Sequence, residues 1–565
     1  MKYPSNSTAD ILSASYRAEL LDKLPKSTIL PKEVLDKYPL GSDVRMVPET
    51  CGLLSEEMLK ITRMRVGELL GELQAGRLKA IHVARAFGFR ASIAHQLTNC
   101  LTDFFLKEAE RHAQHLDDYF AKTGKLIGPL HGIPISIKEQ IQVPGYVSSN
   151  GILSVHHKQK KATEPALLYT YLISAGALIY AHTNLPQMIM HLESDSFWGT
   201  VLNPCNTALS AGGSSGGESA LVTMRGSLIG VGTDIGGSIR SPAGNCGLYG
   251  LRPTAYRVST KNFKTYSPGR ETIVACAGPI AHELSDIHLF MKVILGDPSS
   301  FKGLKFESQK PIWMDDPIAL PLEWGCGRKG TWEKGVRQLR VGVMKTDGVV
   351  RPVKPILDAL DEVVGKLKKS EKIELVEVEH WRSREAWDLI RRMYFPDAAR
   401  RFRELLEDSH IQEPSHPLTK WLVEDSGPPL KDLNNVHQLW DLSQKRDMFR
   451  KDWTNHWNEL GIDALLMPYF PQPGSAHGQA KWWGYTSFFN LVDAPSAVFP
   501  TNNRITSANL GDMEYTPETK EEVEMFREYD TKNFLNAPIC LQLVGRKYYD
   551  EELMHALDLV VEGYS

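Results

Sequence analysis

No two of the seven cysteines, at positions 51, 100, 205, 246, 276, 326 and 540, are spaced as C-x-x-C. An odd, scattered set argues against a disulfide framework or a zinc ribbon and suits a reducing compartment. Neither sign of charge prevails. A net charge of −3 gives no electrostatic ground for binding nucleic acid or an anionic membrane. No run approaches the roughly 18 apolar residues of a membrane-spanning helix. The opening "MKYPSNSTADILSASYRAELLDKLPKS" lacks the apolar stretch of a secretory signal, and the closing "GYS" is no peroxisomal address. The expected location is therefore the cytoplasm.

What is present is an ordinary globular composition, 42% apolar and 24% charged. No internal repeat or low-complexity linker divides the 565 residues. The expectation is an N-terminal helical extension over 1–59, then one large domain over 60–560 with insertions near 298–340, 400–440 and 500–530. Apolar residues at spacings of three and four predict a helix-rich stretch from 55 to about 122. "GIPISIKEQIQV" (132–143) reads as a strand, 164–176 as a helix and 177–184 as a strand. A helix at 218–227 and a strand at 228–234 follow, then an amphipathic helix over 278–297. Residues 300–345 read as loops, 352–460 as helices with a polar break near 408–418, and 339–348, 463–468 and 539–546 as strands. Helix feeding strand repeatedly argues for an α/β sheet.

Twelve of the 44 glycines fall within residues 211–250, and "GTDIGGSIRSP" sets Ser238 against a diglycine. Freezing such a backbone is costly. The serine is either a nucleophile lying among backbone N–H donors or part of a tight connection between packed elements. "GGSSGG" (212–217) formally matches G-x-S-x-G, but the preceding "VLNPCNTALS" is not the strand that a nucleophile elbow follows. That reading survives only if Ser215 is the reactive serine and its base a histidine. A phosphate loop also fails, because no Lys-Ser/Thr follows the glycines.

Lys138 is a lone charge ending the apolar "IPISIK". Burial disfavours an ammonium, and lowering its pKa from near 10.4 to roughly 7–8 takes about 4 kcal/mol of desolvation. The alternative is a lysine that snorkels from a strand end. His112, His115 and Asp118 could hold a metal, though a solvated helix face accounts for them better. Cys205 and Cys246, near the glycine-rich motifs, read as small buried hydrophobes, and "QAKWWGY" (479–485) either lines a channel or packs.

Together, "GIPISIKEQ", "GGSSGGESA" and "GVGTDIGGSIRSPAGNCGLYGLRPT" resemble the amidase signature family, as do "TNLPQ" (183–187), "GPIA" (278–281) and "PICLQLVGR". The helical N-terminal region and the "KEQ" look most like fungal acetamidases and fatty acid amide hydrolases. The resemblance implies an α/β fold, a central mixed twisted sheet flanked by many helices. It further implies a triad in which Ser238 is the nucleophile, Ser214 the bridging serine on a cis peptide bond and Lys138 the base. Backbone N–H groups of Ile235, Gly236, Gly237 and Ser238 match the family's oxyanion hole, and Met188 falls near its acyl pocket. Ser215, Asp234 and Arg240 are expected to support the loop.

The expected activity is hydrolysis of a small monocarboxylic amide, acetamide-like or aryl/aliphatic, to carboxylate and ammonia, with no metal or cofactor. The alternatives are a hydrolase of larger N-acyl amides or esters in secondary metabolism and an amidotransferase subunit. The last usually carries "IKD" where this chain has "IKE". The expected partner is a small-molecule amide, with no nucleic acid and no transmembrane segment; a homodimer is common in the family.

Overall fold

A computed structural model describes residues 3–564 apart from 297–311, 323, 325–334, 336, 408–409 and 528–530. Its centre is an eleven-stranded mixed sheet with about twenty helices around it. The strands are β1 Leu101–Phe104, β2 Ile135–Lys138, β3 Ala181–Thr183, β4 Ile229–Asp234, β5 Tyr249–Arg252 and β6 Cys276–Ala281. They continue as β7 Leu339–Val343, β8 Ile373–Glu377, β9 Ala464–Pro468, β10 Ser496–Arg504 and β11 Pro538–Val544. In space the order is β1-β3-β2-β4-β6-β5-β10-β11-β9-β7-β8.

The arrangement around β2 positions the site. β2 pairs in parallel with both β3 and β4, with Ile135, Ser136 and Ile137 opposite Ile229, Gly230 and Val231. The helices Leu167–Ser174 and Gly216–Thr223 make the two crossovers that parallel pairing requires. The carboxyl ends of β2 and β4 therefore lie side by side, where open α/β sheets hold their ligands. β4 is buried throughout. A side chain at Gly230 would collide with Glu218, and one at Gly232 with Ser215, so these glycines let the helix and its leading loop press onto the sheet.

Several boundaries differ from the sequence reading. The strand expected over 132–143 ends at Lys138, because the chain turns there, Ile141 N–H donating to the Lys138 carbonyl at 2.8 Å. The helix expected over 278–297 is a strand followed by a helix, β6 and then Leu284–Leu295. "GPIA" is buried between β4 and β5, and the Gly278 backbone passes too close to the Leu251 carbonyl for any side chain. A fully buried strand lacks the alternation that separates it from a helix. β1 interrupts the helix-rich stretch, and β8, a short edge strand, interrupts the region read as helices. β5 and β10 are further strands without a sequence signal. Most of 300–345 and residues 408–409 lie outside the described residues; what is described includes a turn of 3-10 helix at Ile312–Asp315 and the strand β7.

Two apolar clusters form the interior. One contains Ile137, Val231 and Ile239 together with Leu20, Leu24, Val44 and Val47 from the N-terminal segment. The other contains Met188, Ile235, Tyr394 and the tryptophans 387, 421, 482 and 483. The loop after β4 bridges them, Ile235 in one and Ile239 in the other. Among the described residues no helix is long and apolar enough to cross a membrane.

Candidate active site

Lys138 ends β2 wholly buried. Its Nζ lies 2.7 Å from Ser214 Oγ, 3.1 Å from Ser215 Oγ and 3.0 Å from Thr233 Oγ1. Burial pushes its pKa down to about 7, an effect that Asp234, Glu218 and Glu139 partly offset. Two of the three hydroxyls have other commitments. Thr233 donates to Gln140 Oε1 at 2.7 Å, and Ser215 Oγ lies 3.4 Å from the Thr233 carbonyl while accepting from the Thr233 N–H at 3.3 Å. Glu218 stands beneath the lysine, taking hydrogen bonds from Ser136 and, at 2.7 Å, from Thr183, and burial pushes its carboxyl up to about 8.

Ser214 follows a cis peptide bond from Gly213. Behind Gly213 run the backbone atoms of 191–193, so close that a Cβ there would collide with them. Ser194 fastens this backing, its N–H donating to the Gly212 carbonyl at 3.0 Å and its Oγ accepting from Gly216 N–H at 2.9 Å.

Ser238 lies buried in the loop joining β4 to the helix Arg240–Cys246, and its carbonyl accepts from Ser215 N–H at 3.1 Å. Asp234 organises that loop. Its carboxylate accepts from Gly237 N–H at 2.8 Å, Ile239 N–H at 3.1 Å, the Arg240 guanidinium at 3.1 Å and Asn490 Nδ2 at 2.8 Å. Although burial works against the charge, Arg240 first and Arg252 and Asn490 after it hold this carboxyl well below the usual range. Arg240 also donates to Asn490 Oδ1 at 2.7 Å.

The loop carbonyls are anchored as well. Ile235 O accepts from Tyr394 at 2.9 Å, Gly236 O from Thr486 at 2.7 Å, and Gly237 O from Ser241 N–H at 2.7 Å. In a planar trans peptide the N–H points opposite to the C=O. Anchoring the carbonyls of 235 and 237 therefore aims the N–H groups of Gly236 and Ser238 away from those anchors. The expected donor at Gly237 is different, because its N–H is engaged by Asp234. What Gly237 supplies is a backbone at φ 127°, in a place where a side chain would strike Thr486.

Met188, buried and left-handed at φ 61°, joins Ile235, Met190 and Ile273 in one apolar cluster. A cavity of about 450 Å³ reaches the site along Gln140 and Thr233, walled further out by Phe263, Arg270, Ile273 and Asp316. A second, of about 500 Å³, touches Tyr394 and Trp440, and residues 267–271 line both.

Every residue singled out around the two motifs thus falls in one region. Sequence reasoning missed Thr233 and Gln140, which sit inside or beside the quoted motifs, and Glu218, which follows "GGSSGG". Tyr394, Thr486 and Asn490 come from distant helices and carry no local signal. The rival features are otherwise engaged. His112 and His115 stack at 6.4 Å on a surface helix, where Asp118 accepts from Gln114. Cys246 is buried, its thiol pushed up by desolvation, and Cys205 is buried beside it. Trp482 donates to Asp347 at 2.7 Å, while Trp483 packs against Trp387 and Tyr394. Ser215 Oγ meets a lysine and a threonine rather than a histidine, so the nucleophile-elbow arrangement is not formed.

A buried amine, two serines and a glycine loop with aimed N–H groups thus lie together at the carboxyl ends of β2 and β4. Residues 82–554 match the family described as Amidase. The chain is 34% identical to the acetamidase of Emericella nidulans over 96% of each, and 33% identical to that of Aspergillus oryzae over 99% of each. Among solved structures, a fatty acid amide hydrolase superposes with a TM-score of 0.86 at 32% identity, over 98% of this chain and 95% of that one. The chain belongs to the amidase signature family and is an amide-hydrolysing enzyme.

Proposed function

We propose that this enzyme hydrolyses a small monocarboxylic amide to carboxylate and ammonia through a Ser238–Ser214–Lys138 triad and an acyl-enzyme. The observation that carries the reading is the buried Lys138 amine at 2.7 Å from Ser214 Oγ. A neutral amine has two N–H donors and one lone pair. Thr233, whose own proton goes to Gln140, takes one N–H, and Ser215 takes the other. The lone pair is left facing Ser214, whose hydroxyl then donates to it. Ser214 in turn draws the proton of Ser238 as Ser238 attacks the amide carbon. Run backwards, the relay protonates the departing nitrogen, the step amide cleavage most needs. N–H groups of Ile235, Gly236 and Ser238 would meet the oxyanion, each such donor being worth about 3–4 kcal/mol. Water then attacks the ester carbon and frees the acid.

The two acetamidase relatives favour a short acyl group. A second reading, a larger N-acyl amide, draws on the fatty acid amide hydrolase likeness and on the adjoining 450 Å³ cavity. Ammonia or amine release from acetamide, benzamide, phenylacetamide and a long-chain fatty amide separates the two. Turnover confined to the short and aryl amides supports the first reading, and preference for the long chain the second. Activity surviving in both Ser238→Ala and Lys138→Ala would refute the triad.

A further inference from the structure

The segment that backs Ser214 is itself held by a histidine outside the triad. His477 Nδ1 lies 2.8 Å from Glu193 Oε1, and its Nε2 lies 3.2 Å from the Thr207 carbonyl. Both neighbours are acceptors. A neutral imidazole has a single N–H and would set its bare nitrogen against an oxygen lone pair; only the imidazolium satisfies both. The second Glu193 oxygen accepts from Gly478 N–H at 2.6 Å, so the carboxylate is tied to 477–478 twice. Glu193 is buried, and its backbone N–H is one of the atoms pressed against Gly213.

The neighbouring histidines are different. His416 donates through Nε2 to Asp195 at 3.1 Å and accepts at Nδ1 from Leu418 N–H at 3.2 Å, so it has one donor and one acceptor for neighbours. His191, stacked on His416 at 4.1 Å, donates through Nδ1 to the Glu193 carbonyl, and burial holds its pKa well below the usual value. The charged groups facing His477 are Glu193 and, further along the same segment, Asp195; the 205–210 loop presents the Thr207 carbonyl.

We propose that His477, as an imidazolium bridging Glu193 and Thr207, is a positioning residue that clamps the 191–195 segment behind Ser214 and gives the enzyme an alkaline limit. This rests on Ser214 being part of the triad. Burial opposes the charge on His477, but Glu193 more than compensates and raises its pKa above the ordinary histidine value. The clamp is whole below that raised value and loses a donor as pH climbs through it. Lys138, in contrast, becomes a base only as pH rises through about 7. The two together define a window of activity.

The test follows the rate of fluorophosphonate labelling of Ser238 against pH in wild type, Glu193→Gln and His477→Gln, with thermal melts as a check on folding. Labelling in wild type should rise through about 7 and fall above the histidine range. In Glu193→Gln, which keeps an acceptor but removes its charge, the fall should move down by about one pH unit. In His477→Gln, which cannot titrate, the fall should vanish while the rise stays. A falling limb with the wild-type midpoint in both variants, or no falling limb in wild type, would overturn the proposal. If His477→Gln does not fold, the shift in Glu193→Gln decides. Absence of any Ser238 adduct in wild type would instead defeat the triad reading and the clamp with it.

Discussion

At the scale of single residues, Lys138 shows how burial suits an ordinary side chain to the proposed role of base. An exposed lysine is almost wholly protonated at neutral pH, whereas one with a pKa of about 7 is half neutral there. Activity should therefore rise as pH increases through about 7, a dependence that kcat/KM measured across pH 5–9 will show. Thr233 stabilises the charged form of the amine by accepting one of its hydrogens. Thr233→Val should consequently move the rising limb to lower pH while reducing kcat about tenfold, because the amine loses an orienting partner worth about 1.4 kcal/mol. Asp234 is the reverse case, a carboxylate kept charged by a buried arginine. Asp234→Asn leaves Arg240 buried without its counter-ion and should cost about 3–5 kcal/mol in urea unfolding, with loss of turnover. In wild type the contribution of Asp234 is present above its unfolded pKa near 3.9 and is lost only as pH falls through its lower folded value.

At the scale of elements, the candidate site depends on which strands are neighbours. Lys138 and Thr233 meet because β2 and β4 are parallel partners, and the glycines of β4 let Ser215 and Glu218 close over it. The loop that follows takes its direction from helices far along the chain. Tyr394 ends the helix Ser383–Tyr394 and anchors the Ile235 carbonyl, which aims the Gly236 N–H. If the Gly236 N–H is an oxyanion donor as proposed, Tyr394→Phe should lower kcat by about 10- to 100-fold with KM little changed, since such a donor matters most in the transition state. This is also where the sequence stops being legible. The proposed nucleophile, bridging serine and base sit in short motifs whose glycines and apolar flanks are local, so a family resemblance exposes them. Tyr394, Thr486 and Asn490 reach the site only through tertiary packing, and nothing in "RRMYFP" or "GYTSFFNL" marks them. The "GPIA" strand was unreadable for a related reason, since burial on both faces erases the period-two pattern.

At the scale of the whole molecule, the loop that carries Ser238 lies at the seam between two apolar clusters, and the N-terminal segment contributes to one of them. Leu20, Leu24, Leu30, Val44 and Val47 are all buried. Each such side chain is worth about 1.5–3 kcal/mol, so their sum rivals the whole stability of a typical domain. Deleting residues 1–54 should therefore give aggregated or unfolded protein rather than a trimmed enzyme, as size-exclusion chromatography and circular dichroism will show. The composition made a large α/β body legible, but the order of eleven strands was not. Four of the strands, β1, β5, β8 and β10, give no recognisable local pattern. Their pairing is fixed by non-local contacts.

The central claim concerns which serine attacks and what activates it. The most direct measurement is to label purified protein with a fluorophosphonate, map the adduct by peptide mass, and repeat with Lys138→Ala. The account predicts a single adduct on Ser238, lost or much slowed in the variant. An adduct on Ser215, or labelling of Ser238 that is indifferent to Lys138, would contradict it.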